Sequence, residues 1–142
     1  MITKQTLLAT FMGGLTLFFL GWIFYDMIAG EFFTNDALTP VPMRMDMAAI
    51  ALGCLVEAFV MTHLFLRWTT NDNSVFSGFK FGAWLGVFMG LGVGIVTYGT
   101  MEMHSLNAHL LDALWSIVFF GLAGVVIAWS THLMQNSTPT EN

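Results

Sequence analysis

An all-α bundle of four membrane-spanning helices is the fold this sequence predicts, and three observations predict it. Four long apolar segments take up nearly all of the 142 residues. Hydrophobic residues make up 56% of the chain and charged residues 9%, with a mean hydropathy of +0.74, whereas a soluble domain carries roughly 25% charged residues. Each apolar run is about twice the ~9–11 residues of a barrel strand and lacks strict alternation, so the runs are helices.

The first span runs over about residues 5–29 and is apolar apart from Thr16 and the terminal Tyr25 and Asp26. At about 1.5 Å per residue it crosses a hydrocarbon core of about 30 Å. Lys4 and the apolar run that follows resemble the start of a secretory signal, but the run exceeds the ~7–15 residues of such a segment and ends on Trp22-Ile23-Phe24-Tyr25. It is read as a retained helix with Trp22 and Tyr25 in an interfacial belt. Residues 30–45, with Pro40 and Pro42, read as a loop folded over the bundle surface. The second span covers about residues 46–67, the third about 76–101 and the fourth about 107–132. Residues 1–134 thus form one transmembrane domain, and the polar segment 135–142 reads as a disordered tail.

Lys4, Arg67 and Lys80 fall on the side that holds both termini, while the other side has Arg44 against Glu31, Asp36, Asp46 and Glu102. The positive-inside rule makes the termini cytoplasmic in a bacterial inner membrane. A net charge of −5 without a basic run excludes nucleic acid as a partner. The partners expected are the lipid bilayer and either a second copy or another membrane protein. Cys54, the single cysteine, excludes an intrachain disulfide. The chain holds no nucleophile elbow, phosphate-binding loop, zinc-protease helix or CxxC pair. Gly90-x-Gly92-x-Gly94 sits within an apolar helix, with no strand before it. No catalytic residue and no cofactor are expected.

Glu57 lies near the middle of the second span. A carboxylate at that depth costs roughly 2.5 kcal/mol or more to insert unless it is protonated, paired or hydrated. Counted by depth from the helix ends, the nearest hydroxyls are Thr16 in the first span and Ser116 in the fourth, and these three form the candidate intramembrane site. A neutral Glu57 bonded to either hydroxyl is interhelical glue; a hydrated Glu57 is a proton- or cation-exchanging group.

A second candidate lies at the outer ends of the helices, where Asp26, Asp46, Glu102, His104, His109 and Asp112 gather. His109 and Asp112, three residues apart, share a helical face, which permits joint ligation or proton relay. Asp46 also suits the N-cap of the second helix, and Ser105 or Asn107 that of the fourth. Met43, Met45, Met101 and Met103 beside His104 raise a copper site, since thioethers select Cu(I). Alternate residues point apart on a helix, and methionine is also an ordinary apolar filler.

Gly82, Gly86, Gly90 and Gly94 recur every fourth residue in the third span and predict a bare face that another helix approaches closely. A faint internal repeat relates Gly21-Trp22-Ile23-Phe24-Tyr25 to Gly94-Ile95-Val96-Thr97-Tyr98, each followed by a returning helix that opens near an aspartate and ends at a tryptophan. It suggests two helical hairpins of the same orientation.

The segments Gly21–Tyr25, Arg44-Met45-Asp46, Tyr98-Gly99-Thr100 and Trp115–Trp129 resemble small bacterial four-helix inner-membrane proteins grouped as domains of unknown function. The resemblance covers nearly the whole chain and implies a four-helix fold; it transfers no activity and no site residue. Two functions remain open. One is a non-catalytic membrane module, an accessory or scaffold subunit. The other is a small proton- or cation-linked transport protein that uses Glu57 and the outer acidic and histidine rim. The surroundings of Glu57 discriminate between them.

Overall fold

The computed structural model describes residues 3–39, 44–69 and 74–136, and these are helical nearly throughout. Helix α1 spans Lys4–Ile28, α2 Gly30–Asp36, α3 Met47–Trp68, α4 Val75–Thr100 and α5 Leu106–Asn136. Four of them, all but α2, are long and apolar enough to cross a membrane.

Each long helix opens on a side chain that satisfies one of its free N–H groups. Thr3 accepts from the Thr6 amide at 3.2 Å, Asp46 from Ala49 at 3.1 Å, Ser74 from Ser77 at 3.2 Å and Ser105 from Ala108 at 3.4 Å. The starts of α1, α3, α4 and α5 are therefore set by local chemistry.

Two parts of the expected outline change. Residues 30–36 are helical, not loop: α2 continues from α1 after a break at Ala29, and the Phe33 amide donates to the Ala29 carbonyl at 3.0 Å. Helix α5 runs on through Asn136, so Gln135 and Asn136 belong to it. Residues 137–142 of the expected tail, like Pro40, Pro42 and Met43, lie outside the described residues.

Helix α5 is the hub, packing along α4 and α1, while α1 also packs along α3. The pairs α1 with α3 and α4 with α5 pack along each other. The core holds Leu17, Met61, Phe65, Phe81, Phe120 and Ile127 among small residues such as Ala9, Ala58, Ala123 and Ala128. Small residues there let the helix backbones approach closely.

The glycine row carries that approach, displaced by one turn from its expected register. Gly78, Gly82, Gly86 and Gly90 face α5; an added Cβ would fall on the carbonyls of Gly124, Phe120 and Ser116 at the first three, and 2.7 Å from the Ala113 Cα at Gly90. Gly94 meets nothing within 4 Å. The register shifts because residues Val87–Val93 form π-helix, whose i→i+5 bonds turn the later residues off the face. The bare face is thus occupied by α5 of the same chain.

Helices α3 and α4 meet at the end of the bundle that holds the termini, where Phe81 lies 5.6 Å from Phe65 and 5.2 Å from Trp68, centroid to centroid. That end is called proximal below and the opposite end distal. Their contact is slight compared with that of either of those pairs.

Candidate functional site

The distal end of α1 is also π-helix, over Ile23–Ile28, with the Ala29 amide donating to the Phe24 carbonyl at 2.7 Å. The widened turn lets two consecutive side chains reach α5. Phe24 stacks on Trp115 with centroids 4.2 Å apart and rings 7° from parallel. The Tyr25 hydroxyl donates to Oδ1 of Asp112.

This bond forms one wall of a cleft of about 320 Å³ lined by Tyr25, Phe33, His104, Ala108, His109 and Asp112. Each element contributes for a local reason. Helix α2 supplies Phe33, whose ring lies 5.9 Å from Tyr25 and 5.7 Å from His104. The second turn of α5 supplies His109 and Asp112, on one face at i and i+3 as their spacing predicts. Tyr98 of α4 stands edge-on to His109 at 5.7 Å.

The roof is pinned by backbone and side chain together. The Leu38 amide donates to the Met103 carbonyl at 2.9 Å, and Ala37 and His104 form an antiparallel bridge. The Thr39 hydroxyl donates to the Glu102 carbonyl at 2.7 Å. Asp36 accepts from the Ser105 hydroxyl at 2.7 Å and from the Ser105 amide at 2.8 Å. Those two bonds, the hydroxyl's first, hold the Asp36 carboxyl below the usual aspartate range. His104 Nδ1 stands 3.8 Å from Asp36 Oδ2, an ion-pair separation too long for a hydrogen bond.

Of the six predicted rim residues, the structure brings three together: His104, His109 and Asp112 line the cleft. Asp26 accepts from the Trp22 indole at 3.1 Å on the exposed side of α1. Asp46 caps α3 and pairs with Arg44 at 3.1 Å. Glu102 is exposed, and its backbone carbonyl is what joins the roof. Among the described residues no three His, Cys, Asp or Glu side chains gather closely enough to hold a metal ion. Of the expected copper ligands, Met45 and Met101 are more than half exposed, and Met43 lies outside the described residues.

Glu57 is exposed and has no hydrogen-bond partner among the described residues. Neither hydroxyl expected beside it is engaged with it: Thr16 donates to the Met12 carbonyl at 2.9 Å, and Ser116 is buried against Gly90. The position of Glu57 around α3 follows from its neighbours. Leu55 and Ala58 pack toward Gly14 and Gly13 of α1, and Trp68 toward Phe81 of α4. At about 100° per residue Glu57 lies roughly 20° from Trp68 and 160° from Leu55. It therefore lies away from the side of α3 that packs on α1, about three turns distal to Trp68.

Tyr25, Phe33, Asp36 and Ser105 carry the site as much as the predicted residues do. Tyr25 reads from sequence as an interfacial anchor and Asp36 as a loop acid; only the π turn and the helical α2 bring them in. Comparison with protein-family models, with curated proteins and with solved structures found no match for this chain.

Proposed function

We propose that the protein is a multi-pass protein of the bacterial inner membrane, with both termini cytoplasmic, and that it carries out proton- or cation-linked transport through the distal cleft and Glu57. The observation that carries this reading is the placement of Glu57: exposed, without a hydrogen-bond partner among the described residues, and turned away from the side of α3 that packs on α1. A carboxylate used as glue needs a donor; the Thr16 hydroxyl donates to the Met12 carbonyl, and the Ser116 hydroxyl does not bond Glu57. In the transport reading the distal cleft is the outer mouth, Asp112 and Glu57 are successive acidic stations, and the rings of Phe65, Trp68 and Phe81 are the proximal closure.

Charge supports the direction of selectivity. The distal end carries Asp26, Glu31, Asp36, Asp46, Glu102 and Asp112 against Arg44 alone, so its field attracts cations and repels anions. The test is an imposed pH or potassium gradient across liposomes holding the purified protein. Flux above that of empty liposomes, reduced at least tenfold by Asp112→Asn with the fold intact, supports the reading. Equal flux with and without protein removes it and leaves the accessory-subunit function.

A further inference from the structure

We infer that the distal cleft binds a small organic ammonium ion, an inference that rests on the transport reading and names its substrate class. The walls have the two features such an ion needs. Asp112 supplies a carboxylate whose Oδ1 already accepts from Tyr25, leaving Oδ2 as the acceptor or counter-charge for a guest. Tyr25 and Phe33 supply aromatic rings 5.9 Å apart at a tilt of 43°, two walls at an angle to each other. Cations are attracted to the faces of such rings, and alkylated ammonium ions most plainly, because they carry charge with little cost of desolvation.

The size agrees. A volume of about 320 Å³ stands at the lower end of small-molecule sites, enough for a compact ion of several heavy atoms. No lysine or arginine lines the cleft; Arg44 is paired with Asp46, and Lys4, Arg67 and Lys80 lie at the proximal end. The chemistry is poor for a bare metal ion, since the lining offers one carboxylate and the described residues hold no cluster of three metal-ligating side chains. It suits a cation that is bound by a carboxylate on one side and by the rings of Tyr25, Phe33, His104 and His109 on the others.

The test uses the full-length protein in detergent or nanodiscs, with choline as the probe and 3,3-dimethyl-1-butanol as its uncharged isostere, followed by calorimetry. Choline is expected to bind at least tenfold more tightly than the isostere. Asp112→Asn, which keeps an acceptor for the Tyr25 hydroxyl, is expected to weaken choline at least tenfold, and Phe33→Leu several-fold, while Phe33→Tyr retains it. Equal affinity for choline and the isostere, or no effect of Asp112→Asn in a protein of unchanged thermal stability, overturns the inference. Proton or potassium flux without choline binding overturns the inference and leaves the transport reading standing. Choline binding with no flux of choline, protons or potassium upholds the site and overturns transport.

Discussion

The Tyr25 hydroxyl donates to the Asp112 carboxylate across the distal interface of α1 and α5, joining residues 87 positions apart in the chain. A π turn in α1 makes the bond, because it lets Tyr25 follow Phe24 onto the same neighbour. Tyr25→Phe deletes the donor and keeps the ring, so it is expected to lower stability by about 0.6–1.7 kcal/mol. Chemical denaturation in mixed micelles measures it, and a variant as stable as the parent shows that the bond is not formed in solution.

The glycine face of α4 yields a position-specific contrast. Gly82→Ala places a Cβ on the Phe120 carbonyl and Gly86→Ala one on the Ser116 carbonyl, so each is expected to cost about 1–3 kcal/mol or prevent folding. Gly94→Ala meets open space and is expected to be neutral or slightly stabilising. Thermal melts of the three variants check the register, and a loss at Gly94 equal to that at Gly82 contradicts it.

Asp36 gives the roof a pH dependence of known sign. Its folded-state pKa is lowered by the Ser105 hydroxyl and amide, so the group contributes stability that is present above its unfolded value of about 4 and is lost as pH falls through the folded value. Ser105→Ala removes the larger cause and the helix cap together. Parent protein is expected to lose distal-loop protection in hydrogen exchange below about pH 4, with the loss shifted to higher pH in Ser105→Ala. Identical profiles show that the Asp36–Ser105 bonds do not hold the roof.

Topology is tested by accessibility. In a Cys54→Ala background, an impermeant maleimide applied to intact cells is expected to label Asn35→Cys and to miss Val75→Cys. The reverse pattern places the termini outside.

Much of the fold is legible in the sequence because its signals are local. Segment length and hydropathy mark the four helices long and apolar enough to cross a membrane, and Asp46 and Ser105 announce helix starts that the structure keeps. What is not legible depends on long-range geometry. Nothing in the run Gly82 to Gly94 says that a π segment will turn its last member away, and nothing near Gly78 announces that Gly124 lies opposite. The site follows the same division. His109 and Asp112 share a face by spacing alone, whereas Tyr25 enters through a π turn and Phe33 through a helix where two prolines suggest a loop. Counting depth from helix ends sets Thr16 and Ser116 level with Glu57, but depth carries no angle around the helix, and angle decides which hydroxyl a carboxylate meets.

In the transport reading Glu57 is an exchangeable carboxylate on the path from the distal cleft, and Glu57→Gln tests that role. Glutamine keeps the shape and the hydrogen-bonding capacity of the side chain while removing its ionisation. In liposomes loaded with a pH-sensitive dye, the variant is expected to fold with unchanged melting temperature and to lose at least tenfold of the flux driven by an imposed gradient. A Glu57→Gln protein that matches the parent in flux contradicts that role, because it shows that the carboxylate takes no part in the path.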